Sequence, residues 1–387
     1  MAKAVDIGTS FIVGAMLRDG KEVFIAERDA FFSMPREDFA EEMLDDAGAK
    51  YLVRGDEIFV VGEDALKYCM ITGKQDAYRR PMSLGVLNPG EEEAIPLIEL
   101  LIEGIVGKPD FPGEVIAATI PAAPLDTNID VTFHKIVVER FLKKLGYDVR
   151  ILNEALAIIY AENPTVVEDG AAAPFSGVGI SFGAGMTNLV VSWRAKKLFE
   201  ISVARGGDWI DHSVSKVRNV PVGKVTHEKE RNLNLAAVDP RDALQLGLEI
   251  YYEELIRHVL HEFNEHFKST QTTFVNPMEV VIAGGTASVP GFVQKFEELL
   301  AEIGSPIPIG GVRLGNDPLR TVAKGALVAA VSMEKKKLKE QPGPKGGAAP
   351  APAPGPAPAA RPAPGTAPAA GKRPPSDRVA IDLEAGV

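Results

Sequence analysis

The chain has 387 residues, of which 45% are hydrophobic and 25% are charged, a composition typical of a soluble globular protein. Its net charge is −11. Because residues 335–387 carry nine Lys and Arg against four Asp and Glu, the rest of the chain carries −16. An acidic body argues against duplex nucleic acid as a partner, and we expect none.

Cysteine and hydrophobic content narrow the class of protein further. Cys69 is the single cysteine in the sequence, which excludes an intramolecular disulfide and fits a reducing compartment. No apolar run approaches the ~18–20 residues that a membrane-spanning helix needs. No signal segment precedes the first predicted strand, which begins almost at Met1. We therefore expect a cytoplasmic protein with no transmembrane segment.

The first predicted element is a meander of three strands. Residues 3–18 predict a strand, a turn of small residues and a return strand, and residues 22–26 predict a third strand. The turn consists of Gly8, Thr9 and Ser10. By itself this pattern is common and predicts only a hairpin with an added strand.

The residues after this meander alternate between helix and strand patterns, beginning with a small inserted subdomain that extends to about residue 80. Apolar residues at helical spacing predict helices over 37–46, 91–107, 130–145 and 154–161. Runs rich in β-formers predict two strands within 50–62 and further strands over 114–120 and 149–152. The order is typical of an α/β protein.

A second meander repeats the first about half a globular chain later. Residues 177–193 predict a strand, a turn at Gly183 and Gly185 and a second strand, and residues 196–204 predict the third. Glycine lets bare backbone approach a ligand, and the N–H groups of such a turn form a concave anion site. Two turns that face one cleft could hold a polyphosphate from both sides. The repeat therefore suggests two similar domains.

The remaining ordered part predicts more helix than strand. Helices are predicted from Trp209 onward and over 242–268, 291–303 and 321–333, with a buried strand at 279–283. From Gln341 to about Pro375 nearly every residue is Pro, Ala or Gly, which cannot build a core and predicts a disordered spacer. Residues 379–384 (VAIDLE) could be a docking peptide or a frayed terminus.

Nine motifs in order resemble the actin/heat-shock-chaperone/sugar-kinase ATPase superfamily, and most closely the MreB-type bacterial actins. They are DIGTS at 6–10, RRPMSLGVL at 79–87, ATIPAA at 118–123, LNEALAI at 152–158, SFGAGMT at 181–187, RGGDWID at 205–211, THEKER at 226–231, AGGTASVPGF at 283–292 and DPLRTVAKGAL at 317–327. Each motif alone is weak, but their common order and spacing indicate the family. The likeness spans nearly all of residues 3–333.

The resemblance implies the fold class and the domain boundaries. The fold would be α/β, a two-domain actin-like ATPase with a ribonuclease H-like duplicated βββαβαβα core and with small IB and reduced IIB subdomains. Domain I would cover 1–150, with IB at about 32–79, and would be completed by about 318–338. Domain II would cover 151–317, with a short IIB at about 216–242. Residues 339–387 would form the disordered tail.

The resemblance also implies a cleft that binds ATP or ADP with Mg²⁺. Asp6 would hold the metal through water, and Glu154 would orient the attacking water. The residues implied to contact phosphate are Gly8, Thr9, Ser10, Gly183, Ala184, Gly185 and Thr187. Gly207 and Asp208 would form the glycine-acid turn, Gly284, Gly285 and Thr286 would approach ribose and the α-phosphate, and Glu228 and Arg231 would lie near adenosine. Phosphoryl transfer needs such positioning and charge neutralisation rather than a covalent nucleophile.

Two departures from the family pattern bear on function. Ser181 stands where the family has an aspartate that helps hold the magnesium water shell, and Met186 stands where it often has a hydroxyl residue. Loss of one such contact typically lowers metal affinity or activity about 10–100-fold, so we expect slow hydrolysis. The interval from Thr226 to Asp242 is too short for the small sheet that makes longitudinal filament contacts in bacterial actins.

The first functional hypothesis is a bacterial actin-like ATP-binding cytoskeletal or scaffold protein. Self-association would form filaments, and the tail would recruit protein partners. The alternatives are a non-polymerising nucleotide-dependent scaffold (a pseudo-ATPase) and a chaperone-type ATPase, which the loop GGTASVP resembles. The absence of a substrate-binding domain argues against the chaperone, and the lack of a large insertion argues against a sugar kinase.

Two other clusters have simpler interpretations than a functional site. His258, His261 and His266 lie on one predicted helix, but no acidic or Cys partner completes a metal set at ligand spacing, so a solvated face is favoured. Four lysines, Lys335, Lys336, Lys337 and Lys339, end the last predicted helix and could contact anionic lipid. A cap for the helix dipole is the favoured interpretation, so membrane contact is only a weak alternative.

Overall fold

The computed structural model describes residues 2–37, 39–74, 77–162, 166–168, 171–270 and 272–340, with the backbone alone for 166–168 and 171–173. Its first half contains β1 (Lys3–Ile7), β2 (Phe11–Arg18), β3 (Lys21–Arg28), β4 (Phe31–Pro35), α1 (Ala40–Ala47), β5 (Tyr51–Arg54), β6 (Glu57–Val61), α2 (Glu63–Thr72), β7 (Tyr78–Arg79), β8 (Met82–Ser83), β9 (Val86–Leu87), α3 (Ala94–Val106), β10 (Val115–Ile120), α4 (Val131–Lys144) and β11 (Asp148–Asn153). The predicted tail from Gln341 onward lies outside the described residues.

The second half begins with a helix and ends with one. It contains α5 (Glu154–Ala161), β12 (Val166–Glu168), β13 (Ala171–Ala173), β14 (Gly177–Phe182), β15 (Thr187–Trp193), β16 (Lys196–Val203), α6 (Gly207–Arg218), α7 (Val222–Arg231), α8 (Ala243–Phe267), β17 (Met278–Ala283), α9 (Phe292–Ile303), β18 (Ile309–Leu314) and α10 (Thr321–Glu340). None of the described helices combines the length and hydropathy needed to span a membrane.

Two five-stranded sheets with the same topology form the centre of the molecule. The first has the order β11-β10-β1-β2-β3 and the second β18-β17-β14-β15-β16. In each sheet the meander is antiparallel, and its first strand pairs in parallel with a strand from later in the chain. The duplication predicted from the two meanders is therefore present in the strand order itself.

A small four-stranded sheet, β5-β6-β4-β7, is inserted between β3 and α3. Helices α1 and α2 pack on one face of this sheet, where they bury Leu44 and Cys69. The other face, with Phe31 and Phe59, packs against α3 and the first large sheet. In contrast, residues 204–242 hold α6 and α7 but no strand, which agrees with the reduced subdomain implied by the short interval.

Local side-chain caps explain where several helices begin. Asp242 accepts hydrogen bonds from the N–H groups of Leu244 and Gln245, so α8 begins directly after it. Asn153 does the same for α5. The N–H groups at a helix start have no partner within the helix, and these caps satisfy them.

Helix α10 connects the two halves of the chain. Its alanine-rich face, with Ala323, Ala326 and Ala330, packs on β1 and β10 of the first sheet. The same helix packs against α5, and Gly325 lies at their closest approach. The predicted helix 321–333 is therefore correct in place and seven residues short, because α10 ends at Glu340.

Candidate functional site

A cleft of about 470 Å³ lies at the ends of β1 and β14, where the two glycine turns meet. Fourteen of the predicted site residues line it: Asp6, Gly8, Thr9, Ser10, Glu154, Ser181, Gly183, Ala184, Gly185, Asp208, Arg231, Gly284, Gly285 and Thr286. Three others, Thr187, Gly207 and Glu228, are not among the lining residues. Segments that are far apart in the sequence thus converge on one space.

The two glycine turns approach each other directly. Each is closed by a backbone hydrogen bond, from Gly8 N–H in the first turn and from Gly183 N–H in the second. A Cβ atom on Gly185 would lie 2.4 Å from Thr9 Oγ1 and 2.4 Å from the nitrogen of Gly85. Thr9 Oγ1 also accepts the Gly85 N–H, at 3.0 Å. Only glycine at position 185 allows the two turns to come this close.

Two half-buried carboxylates, Asp6 and Glu154, line the cleft from the side of the first sheet. Asp6 lies near the end of β1, opposite Thr119 of β10, whose hydroxyl donates a hydrogen bond to it. Burial raises the pKa of Asp6 to about 6, and the Thr119 hydrogen bond opposes this rise. Burial, and then the negative charge of Asp6, raise the pKa of Glu154 well above its usual value. A cation between the two would relieve their repulsion, so this pair fits a divalent metal.

Asn188 fixes the position of the Glu154 side chain. Its Nδ2 donates to Glu154 Oε2 at 3.0 Å, and its Oδ1 accepts the N–H of Ala122 at 3.2 Å. Asn188 is fully buried and lies opposite Ser181 in the β14–β15 ladder. Sequence reasoning missed this asparagine, because only the strand register places it beside a residue 34 positions away.

The loop after β17 forms the wall opposite the acids. Gly284 has φ of +96°, and a Cβ there would lie 2.2 Å from the carbonyl oxygen of Phe182. Thr286 Oγ1 donates to the carbonyl of Gly183 at 2.8 Å, and the Tyr252 hydroxyl donates to the carbonyl of Thr286 at 3.1 Å. This loop is therefore tied to the second glycine turn as well as to α8.

The structure changes the expected contribution of α7. Arg231 lines the cleft, but Glu228 points elsewhere and accepts hydrogen bonds from Gln245 and Asn232. The residue that reaches inward is Lys229, which is 8% exposed. Successive residues on a helix point about 100° apart, so a shift of one position changes which side chain faces the cleft.

Lys229 is held in place by two acceptors. Its Nζ donates to Asp211 Oδ2 at 2.8 Å and to the carbonyl of Gly207 at 3.0 Å. Gly207 therefore stabilises the wall of the cleft without lining it. Thr187 has a similar position, and its hydroxyl donates to the carbonyl of Arg205. The Lys229 ammonium is therefore a buried donor in the wall of the cleft.

Arg80 and Asp208 form an ion pair across the mouth of the cleft. Arg80 Nη1 lies 2.9 and 2.8 Å from the two carboxylate oxygens of Asp208. The buried carboxyl of Asp29 lies close enough for the Arg80 charge to oppose the rise in its pKa that burial causes. The motif at 79–87 contained Arg80, but nothing in the sequence indicated its partner 128 residues away.

The histidines of α8 do not form a metal site. His258 lies between Asp126, 3.2 Å from its Nε2, and Glu262, 4.0 Å from its Nδ1, and Glu262 also lies 3.2 Å from His266 Nε2. No group of three or more His, Cys, Asp or Glu residues that could hold a metal is found in the parts of the chain that the structure describes.

Comparison with solved structures identifies the fold. A MamK double helical filament matches with a TM-score of 0.61 and 16% identity, over 88% of this chain and 100% of that one. MreB5 of Spiroplasma citri, solved with AMPPNP and with ADP, matches in both forms with a TM-score of 0.59 and 14% identity, over 88% of this chain and 99% of the other. These matches confirm the predicted two-domain actin-like fold.

Comparison at the level of sequence gives the family. No protein with a curated description matches the chain. The family model described as Volactin matches residues 1–330, which include both large sheets and all of the cleft-lining residues. The chain therefore belongs to the Volactin family.

Proposed function

We propose that this protein binds ATP or ADP with Mg²⁺ in the cleft and acts as an actin-like cytoskeletal or scaffold protein of the cytoplasm. The observation that carries the proposal is the direct approach of the two glycine turns, Thr9 against Gly185, in the same cleft as the half-buried pair Asp6 and Glu154. Support also comes from structures of the same fold, since MreB5 was solved with AMPPNP and with ADP.

In this proposal the glycine turns bind the phosphates from two sides. The N–H groups of Gly8–Ser10 and of Gly183–Gly185 would donate to phosphate oxygens. Lys229, whose charge Asp211 compensates, would donate its remaining N–H to a phosphate oxygen, and the loop at 284–286 would contact the ribose. Bound Mg²⁺, held by Asp6 through water, would supply charge neutralisation for the phosphates.

Glu154 would orient the attacking water, and Asn188 would position Glu154. A carboxylate whose pKa is raised by burial can accept a proton near neutral pH. Ser181 contributes a hydroxyl but no charge at the rim of the metal site, so we propose hydrolysis slowed about 10–100-fold relative to an aspartate at this position.

Nucleotide binding is tested by titrating the full chain with ATP in the presence of Mg²⁺ and measuring heat. We expect saturable binding that Asp6→Asn weakens at least tenfold, because the buried site loses its metal-binding charge. Glu249→Gln, which removes a carboxylate on the surface of α8, should leave the affinity unchanged. Absence of affinity for any purine nucleotide with Mg²⁺ would overturn the proposal.

Hydrolysis is tested by measuring phosphate release. Glu154→Gln should abolish release while nucleotide still binds, because the amide cannot take a proton from water. Ser181→Asp should release phosphate faster than the wild type. Equal rates for the wild type and Ser181→Asp would show that Ser181 does not limit hydrolysis.

Self-association is the second part of the proposal. The MamK structure is a double helical filament of the same fold, which supports filaments here. The two helices without a strand at 204–242 favour the alternative, a nucleotide-dependent scaffold that does not polymerise. Sedimentation with and without ATP, followed by imaging of the pellet, distinguishes them, since a protein that stays in the supernatant with every nucleotide contradicts filaments.

A further inference from the structure

A second cavity, of about 300 Å³, lies at the opposite end of β1 from the cleft. It is formed by the start of β1, the end of β2, the middle of β3 and the last turn of α3 with the loop after it. We call it the basal pocket, and its lining residues are Lys3, Met16, Leu17, Arg18, Ile25, Gly104, Ile105, Val106, Gly107, Lys108 and Asp110. The proposed nucleotide function does not use this pocket.

The basal pocket has an apolar floor and a cationic rim. Met16 and Ile105 are buried in its floor. Arg18 and Lys108 are exposed at its rim, and within the described part of the chain neither forms an ion pair. Lys3, Arg18, Lys108 and Asp110 give the lining a formal charge of about +2, which the buried Glu114 beside Lys3 reduces to about +1, on a body that is otherwise strongly acidic.

Lys3 is a fixed part of the wall and has no free donor. Its Nζ donates to the carbonyls of Val106 and Lys108 and to the hydroxyl of Tyr147, at 3.1, 2.9 and 3.1 Å. Glu114 lies 3.6 Å away, so the Lys3 charge is largely compensated. The charges that remain available to a ligand are those of Arg18 and Lys108.

The sequence supplies a complementary segment, residues 377–384 (DRVAIDLE). Val379, Ile381 and Leu383 alternate with smaller or acidic residues, so an extended segment would present them on one side. The segment contains three acids and one arginine, which gives a charge of −2. Its apolar and acidic character matches the floor and the rim of the basal pocket.

The described chain ends at the same end of the first sheet as the basal pocket, although α10 packs on the other face of that sheet. In the last turns of α10, Lys337 Nζ donates to the carbonyl of Gly113 at 3.1 Å and lies 3.1 Å from Asp148. Gly113 directly precedes Glu114, the residue paired with Lys3 in the pocket wall. The 36 residues 341–376 separate the segment from the described chain. A random coil of this length spans about 30–36 Å on average and a fully extended polyproline chain about 110 Å, so the linker is long enough for the segment to reach the pocket.

We infer that residues 377–384 dock in the basal pocket, with their apolar side chains on its floor and their carboxylates against Arg18 and Lys108. Tethering gives the segment an effective concentration near millimolar, so even a weak contact would be occupied. The segment docks on its own chain or on a second copy, and either arrangement makes the tail a ligand of the body.

A labelled peptide of residues 376–387 tests this inference in the full chain. Leu383→Asp disables the chain's own segment and leaves the pocket open, so the peptide should bind this variant at least tenfold more tightly than it binds the wild type. Adding Arg18→Glu to that variant should weaken binding at least tenfold. Adding Lys224→Glu, the same charge reversal at an exposed lysine of α7, should change little. Fluorescence anisotropy measures all four proteins.

The inference is overturned if the peptide binds none of these proteins, or if the Arg18 and Lys224 reversals weaken binding equally. Thermal unfolding of each variant shows that the charge reversals leave the fold intact. If the wild type excludes the labelled peptide more strongly at higher chain concentration, the segment is exchanged between copies. If this exclusion does not change with concentration, the segment docks on its own chain. In either case the effect of the Arg18 reversal places the segment in the basal pocket.

Discussion

Gly325→Ala tests how α10 joins the two halves of the protein. A Cβ at position 325 would lie 1.6 Å from the carbonyl oxygen of Ala157 and 2.9 Å from the nitrogen of Ala161, both in α5. Real Cβ atoms essentially never lie closer than 3.0 Å to another heavy atom, so the helices would have to separate by about 1.4 Å. Both surfaces are helix backbone, and no rotamer change can relieve the overlap.

The cost of this separation can be estimated from what α10 packs against. Overpacking in a core typically costs about 1–3 kcal/mol, and here the shift also loosens Ala323 and Ala326 from the first sheet. We therefore expect the free energy of unfolding to fall by about 3 kcal/mol. At roughly 2.1 cal/mol/K of unfolding entropy per residue, about 340 folded residues give roughly 1.4 °C per kcal/mol, so Tm should fall by about 4 °C.

Thermal and urea unfolding measure the effect. The matched control is Gly223→Ala in α7, where an added Cβ meets nothing within 4 Å and Tm should stay the same or rise slightly. Since α5 begins at Glu154, the separation should also weaken ATP binding. A Tm for Gly325→Ala within 1 °C of the control would refute the reasoning.

Three further predictions concern buried polar groups. His134 is 1% exposed, and burial lowers its pKa to about 4 from a usual 6.5, so its protonation favours the unfolded chain. The free energy of unfolding should therefore fall as the pH drops from about 6.5 to 4. In His134→Leu this fall should be smaller by about 3 kcal/mol, as measured by urea unfolding at each pH. Arg80→Leu should lower the free energy of unfolding by about 3 kcal/mol, because it leaves the Asp208 carboxylate without its ion-pair partner. A double-mutant cycle with Asp208→Asn should show coupling between the two positions. Asn188→Leu should raise the pKa of Glu154 further and move the acidic limb of phosphate release to higher pH.

Elements with local signals could be predicted from the sequence. The helix predicted over 242–268 is α8, Ala243–Phe267, because a side-chain cap at Asp242 acts on residues two and three positions later. The meanders were predictable for the same reason, since β-formers flank short glycine turns. In both cases the determining contacts lie within a few residues.

Elements that depend on distant partners could not be predicted. β18 has the sequence IGGVRL, whose two glycines disfavour a strand, and it forms because β17 offers a parallel edge. Helix α2 was also missed, because its apolar residues follow no clear stripe. Tertiary pairing decides such segments.

The residues of the candidate site also divide into those that the sequence predicts and those that depend on distant partners. Motifs placed Asp6, Gly185 and Thr286 in one cleft, because each is a residue type that a turn or strand end requires. The contacts of Arg80 and Lys229 were not predictable, since they depend on the register and rotation of whole elements. Sequence motifs therefore identify the backbone of the site better than the side chains that connect its walls.

An aspartate at position 181 would do more than add a ligand for a metal. Asp6 and Glu154 already repel each other in the cleft, and an aspartate at 181 would add a third buried carboxylate whose repulsion only a cation could relieve. With serine, the metal-free cleft should be more stable and the affinity for metal lower. Ser181→Asp should therefore lower Tm in a chelator and raise it with Mg²⁺ and ATP. If Ser181→Asp shifts Tm equally in the two conditions, a charge at position 181 does not interact with Asp6 and Glu154, and the reasoning is wrong.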